Sequence, residues 1–110
     1  MDSFLSKKKC IPCEGGVKAL TFDELEDYKN EVPDWEIMDD GKSIKKRLKF
    51  SNFVKSLEFV NKVALIAEEE NHHPDIEFGW GYCVITIQTH SIGGLHENDF
   101  IVASKINEIN

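Results

Sequence analysis

Between Phe53 and His90 the apolar residues change their period. Phe53, Leu57, Val60, Ala64 and Ala67 recur at three- and four-residue steps, the spacing of one face of a helix. Cys83, Ile85 and Ile87 instead alternate with Val84, Thr86 and Gln88, the spacing of a strand with two distinct faces. The two patterns cannot merge, because His73 precedes Pro74 and a proline ring disfavours helical backbone angles at the residue before it. The helix must therefore stop near Asn71, and the chain must leave it extended.

The flanking sequence supplies the remaining elements. Thr21 offers a hydroxyl cap, and Glu24 three residues later completes a capping-box pattern ahead of a short helix that ends before Pro33. From Trp35 to Phe50 two strand-like runs surround Asp40-Gly41, a dipeptide suited to the positive φ angles of a two-residue hairpin turn. Ser51 or Asn52 can cap the long helix. Asp75–Trp80 and Tyr82–His90 read as two further strands, with Gly79 and Gly81 marking the turn or bulge between them. After Gly93-Gly94 a last helix carries Leu95, Val102, Ile106 and Ile109 on one stripe. The order predicts one α+β domain over residues 20–110, an antiparallel four-stranded sheet with helices packed on one face. Residues 1–19 mix charge, Cys, Pro and Gly without periodicity and read as a loosely ordered lead-in. Val54, Phe59, Val63 and Ile66 widen the stripe of the long helix beyond one face, which predicts a subunit interface as well as a sheet contact.

Charge narrows the partners. Thirteen Lys+Arg against twenty Asp+Glu give a net charge of -7, which disfavours nucleic acid, whose affinity for proteins comes mainly from counterions displaced by basic side chains. The basic cluster Lys42, Lys45, Lys46, Arg47 and Lys49 alternates with Ile44, Leu48 and Phe50, as a solvated strand face would. No signal-peptide pattern and no membrane-spanning apolar run is present, and the three cysteines are odd in number, so the expectation is reduced thiols in the cytoplasm, with the nucleus as a further location.

The segment from Glu68 to His90 holds three of the four histidines. Imidazole can hold or release a proton near neutral pH, and a well-placed one contributes about 10²- to 10⁴-fold to a rate through general acid-base catalysis. His72 and His73 sit at an element junction and His90 at a strand end, positions where side chains converge on clefts. Any one of them alone reads as a solvated or satisfied histidine; three in one short segment favour a site. A metal site drawn from His72, His73, His90, His96 and Asp99 is the competing reading, but neighbours in extended chain point to opposite sides and no helical His-x-x-x-His pair exists. Cys10-x-x-Cys13 has no second pair and reads as incidental thiols. Glu68-Glu69-Glu70 at a helix C-terminus opposes the helix dipole, so one of these carboxylates is expected to serve another purpose, such as orienting His72.

The pattern Glu68-x-x-x-His72-His73-Pro74, Trp80 after five residues, His90 after nine more and Asp99 after eight more spans 32 positions and resembles the signature of the pterin-4a-carbinolamine dehydratases. The resemblance implies a small α+β fold and the dehydration of 4a-hydroxytetrahydrobiopterin to quinonoid dihydrobiopterin, in tetrahydrobiopterin recycling, with no metal and no cofactor. It implies that His72 and His90 are the principal acid-base groups, that His73 contacts substrate and assists proton transfer, that Asp99 orients an imidazole and that Glu68 steadies His72. It also places Pro74, Trp80 and Thr89 among the pterin contacts, with Trp80 equally readable as core. Two departures stand out: His96 occupies the place of a small hydroxyl cap before the last helix, and Trp80 occupies a position also held by Tyr. The family's other role implies an alternative, a dimerisation cofactor that binds a transcription factor through helical surface; a dehydratase acting on another pterin is a third reading. A homodimer or homotetramer is expected, and no membrane association.

Overall fold

The computed structural model describes residues 4–11, 18–38 and 41–109. Helix α1 (Phe22–Glu31) leads into strands β1 (Glu36–Met38) and β2 (Ser43–Lys49), then helix α2 (Phe53–Glu70), strands β3 (Asp75–Gly79) and β4 (Tyr82–Ile87), and helix α3 (Glu97–Ile109). The strands form one antiparallel sheet in the order β1-β2-β4-β3. The predicted four-stranded α+β layer is the observed one.

Local chemistry sets the boundaries. Thr21 Oγ1 accepts the Glu24 N–H while Glu24 Oε1 accepts the Thr21 N–H, so both halves of the capping box form. The Asn52 side chain caps α2 by accepting the Lys55 N–H at 2.9 Å. At the other end Asn71 adopts a left-handed conformation, φ 51°, and its N–H together with that of His72 closes on the last carbonyls of α2. The Met38–Ser43 pairing centres the first hairpin between positions 40 and 41, with Gly41 at φ +88°; Asp39 and Asp40 lie outside the described residues. Gly79 pairs with Tyr82, leaving Trp80-Gly81 as a tight turn in which Gly81 takes φ +80°.

Register then separates the two faces of the sheet. Ile44, Leu48, Cys83, Ile85 and Ile87 face the helices and join Phe59 and Val63 of α2 and Phe100, Ile101 and Val102 of α3 in one core. Lys46 shares this inward face, a departure from the solvated strand face expected of the whole basic cluster. Its ammonium reaches Asp34 at 2.6 Å and Asn107 at 3.0 Å, and Asn107 also accepts the buried Trp35 indole N–H. On the outward face Lys45 and Arg47 of β2 flank Thr86 and Val84, with Asp75 and Glu77 of β3 beyond them, so the sheet turns a polar, charge-balanced surface to water.

The long helix also leaves apolar surface uncovered: Phe53, Val54, Leu57 and Leu65 are exposed. No helix among the described residues is long and apolar enough to cross a membrane.

The largest departure from expectation is at the N-terminus. Residues 4–11 are not a loose lead-in, because Phe4–Lys7 forms a 3₁₀ turn packed on α3 with Leu5 only 1% exposed. A fully buried leucine stabilises by about 1.5–3 kcal/mol. The Lys8–Glu97 ion pair, about one third exposed on each side, is worth about 0–1 kcal/mol. Leu5 therefore does most to hold this segment down. Since α3 packs on α1 and α2 on its other sides, it is buried nearly all round.

Candidate active site

The C-terminal ends of α2 and β4 and the start of α3 meet at one end of the sheet around a cleft of about 450 Å³. Residues 70–73 bring the end of α2, residues 88–91 the end of β4, and Asn98 the start of α3; Cys10 and Ile11 of the N-terminal segment complete the lining. His72, His73 and His90 thus line one hollow, eighteen residues of chain being folded back by the β3–β4 hairpin.

Asp99 is the fixed point. It is fully buried, and its Oδ1 lies 2.6 Å from His72 Nε2. Its Oδ2 accepts the Thr89 hydroxyl at 2.8 Å and the His96 backbone N–H at 2.8 Å. An ionised Asp99, its Oδ2 already accepting twice, accepts the His72 Nε2–H at Oδ1, and in the neutral imidazole this leaves Nδ1 with its lone pair. His72 is itself largely buried, its side chain 12% exposed. His96, directly before α3, works as a cap through its ring: Nδ1 accepts the Asn98 N–H at 3.1 Å.

His90 stands differently. Thr89 pairs with Gly94, closing a short loop whose tip is the 3₁₀ turn His90–Ile92. The imidazole is exposed, with the Gln88 amide nitrogen 3.4 Å from its Nε2. One ring is thus locked to a buried carboxylate, and the other meets solvent.

Three expected contacts fall elsewhere. Glu68 pairs with His73 and not with His72, because the left-handed turn at Asn71 swings His72 inward toward α3 and leaves His73 outside above the last turn of the helix. Trp80 is neither core nor cleft wall: it occupies the β3–β4 turn at the far end of that hairpin, 71% exposed. Pro74 sets the extended exit from α2 without lining the cleft. Thr89 does line it, with its hydroxyl committed to Asp99.

Sequence reasoning missed Glu70, Cys10, Ile11 and Asn98. The Glu70 carboxylate is buried at the end of α2, where Oε1 accepts the Cys10 N–H at 2.8 Å and Oε2 lies 3.7 Å from Lys105 Nζ. Of the three consecutive glutamates this is the one drawn inward; the unfavourable helix end gave a weak signal that one of them would be, without saying which. Burial, reinforced by the Glu70 carboxylate, pushes the Cys10 thiol up to about 12, so it stays protonated at neutral pH and is no nucleophile. Cys13 lies outside the described residues.

The site offers two imidazoles in different surroundings around a hollow of small-heterocycle size, one of them orientated by a buried carboxylate. That arrangement suits removing a proton at one point of a ligand and delivering one at another.

Comparison with known proteins identifies the family. The family model described as pterin 4 alpha carbinolamine dehydratase matches residues 18–109. A provisionally named pterin-4-alpha-carbinolamine dehydratase of Methylococcus capsulatus is 49% identical over 105 residues, covering 96% of this chain and 92% of that protein. One of Rickettsia canadensis, provisionally named in the same way, is 52% identical over 103 residues, covering 93% and 94%. The structure of a transcriptional coactivator/pterin dehydratase from Brucella melitensis superposes with a TM-score of 0.78 at 30% identity, covering 84% of this chain and 98% of that one. A pterin dehydratase-like RuBisCO assembly factor of the alpha-carboxysome, at 24% identity, a TM-score of 0.59 and coverage of 68% and 87%, shares the fold alone. With the match running from Lys18 to Ile109 and these identities over nearly the whole chain, the protein belongs to the pterin 4 alpha carbinolamine dehydratase family.

Proposed function

We propose that this protein dehydrates 4a-hydroxytetrahydrobiopterin, or a close 4a-hydroxypterin, to the quinonoid dihydropterin by histidine acid-base catalysis. The observation that carries this reading is the buried Asp99 holding His72 by Nε2 beside a second imidazole, His90, in one cleft. With its proton fixed on Nε2, His72 presents Nδ1 as the base that takes the ring N–H proton. His90, in contact with water, serves as the acid that protonates the departing 4a-hydroxyl and regains its proton from solvent. Removal of one ring proton and loss of one hydroxide as water balance without a change of oxidation state. His73, steadied by Glu68 at the cleft mouth, contacts the substrate.

Mixing the protein with freshly generated 4a-hydroxytetrahydropterin and following dihydropterin absorbance tests the reading. A rate no faster than buffer, or full activity in a His72→Ala, His90→Ala double variant, overturns it.

The exposed apolar stripe of α2 supports self-association into a dimer or tetramer alongside catalysis. Binding of a transcription factor through the same helix is the second reading, supported by the coactivator named among the structural relatives. Light scattering that returns a monomer at micromolar concentration overturns self-association. The relatives named above are bacterial and lend no support to a nuclear location.

A further inference from the structure

Residues 8–11 are tied to the cleft by more than incidental packing. The Asn98 side chain, 2% exposed, reads the backbone of Ile11 in both directions: its Oδ1 accepts the Ile11 N–H at 3.1 Å and its Nδ2 donates to the Ile11 carbonyl at 2.5 Å. The buried Glu70 carboxylate holds the preceding Cys10 N–H, and Lys105 reaches back to the Ser6 carbonyl at 2.9 Å. A buried amide and a buried carboxylate are both spent on fixing two residues of backbone. The side chain this presents is Ile11, which lines the cleft yet remains 60% exposed. The rest of the lining is mostly polar, so Ile11 is the large apolar side chain a flat heterocycle would meet there.

We propose that Ile11 is a substrate-contacting, specificity-determining residue of the pterin cleft, and that Asn98 is a positioning residue that acts through it by clamping the strap formed by residues 8–11. The proposal rests on the dehydratase reading of the cleft and adds to it a wall supplied from outside the signature histidines. Contact with an apolar side chain stabilises ground state and transition state alike, so its loss raises KM and leaves kcat nearly unchanged.

The test is titration calorimetry of the full chain with 7,8-dihydrobiopterin, paired with steady-state kinetics. Ile11→Ser is expected to weaken binding about five- to tenfold, with KM rising in parallel and kcat within twofold; Ile11→Leu should restore most of the affinity. Asn98→Ala should weaken binding to a similar extent, and the Asn98→Ala, Ile11→Ser double variant should be no weaker than the weaker single one. Wild-type affinity in Ile11→Ser, an exposed position where folding is not at risk, overturns the proposal and leaves the dehydratase reading intact. Wild-type protein that binds no dihydropterin overturns both.

Discussion

His72 Nε2 and Asp99 Oδ1 lie 2.6 Å apart across 27 residues of sequence, and every atom of the Asp99 side chain is shielded from water. The left-handed turn at Asn71 and the pinned loop from Thr89 to Gly94 converge on this one bond. It ties the folded core to a ring that lines the cleft.

Replacing that carboxylate by an amide should change which ring nitrogen carries the proton. In Asp99→Asn an amide N–H can face His72, which favours the tautomer protonated at Nδ1 and removes the base. We expect kcat to fall about 10²-fold or more with KM little altered. Nitrogen-15 spectra of the imidazoles should show the tautomer reversed; an unchanged tautomer would contradict the assignment.

Thr89→Val keeps the shape of the side chain and deletes the hydroxyl that Asp99 accepts. Hydrogen bonds to charged groups contribute about 1.5–3 kcal/mol, and urea unfolding should show a loss in that range. Activity should fall less than in Asp99→Asn, because the bond to His72 remains.

The Glu68–His73 pair is exposed, with side chains 76% and 55% accessible. Glu68→Gln should therefore change stability by no more than about 0.5 kcal/mol in the same unfolding assay. Turnover should drop less than tenfold. A loss as large as that of Asp99→Asn would mean that His73, and not His72, carries the chemistry.

Acid should weaken the Lys8–Glu97 and Lys46–Asp34 pairs. The Lys8 ammonium, aided by the Tyr28 hydroxyl, holds Glu97 below its ordinary value of 4.5 despite partial burial. For Asp34, burial pushes upward, but its bond and charge interaction with Lys46 win and hold it below 3.8. Both folded-state values are depressed, so the unfolded chain binds more protons in this range; stability is complete above the unfolded values and is lost as pH falls through the folded ones. Urea midpoints should decline between pH 5 and about pH 3, and the Glu97→Gln variant should show a shallower decline.

Cys10 and Cys83 should resist alkylation while the protein is folded. Burial raises Cys10 to about 12 and Cys83 to about 11 from a usual 9.0. At pH 8 the Cys10 thiolate fraction is then ~10⁻⁴ against ~10⁻¹ unfolded. Iodoacetamide labelling resolved by mass spectrometry should be at least about 100-fold slower at Cys10 and Cys83 in native protein than in guanidinium.

What the sequence disclosed was local. Thr21 with Glu24, Asn52, Asn71 before Pro74 and the alternation along Tyr82–Ile87 each announce their structure within a few residues. Lys46 falls in step with Ile44 and Leu48, so the alternation already set it apart from Lys45, but its partners Asp34 and Asn107 are brought in by other elements and left no trace in the local pattern. The strap escaped for the same reason: Cys10 and Ile11 meet Glu70 and Asn98 across 60 and 87 positions, and no periodicity records such a meeting. The signature pointed to Glu68 as the partner of His72, but the direction in which each ring leaves the helix depends on one left-handed residue.

The placement of the two tryptophans has a practical side. Trp35 is sealed in the interior with its N–H bonded to Asn107, whereas Trp80 stands in water at the tip of a hairpin. Denaturation will shift the emission of the first indole to the red and barely touch the second, so the native spectrum is a sum of two unlike fluorophores. Because neither ring borders the cleft, a pterin seated there would act on them only over a distance, and a Trp80→Phe variant yields a cleaner optical gauge of folding.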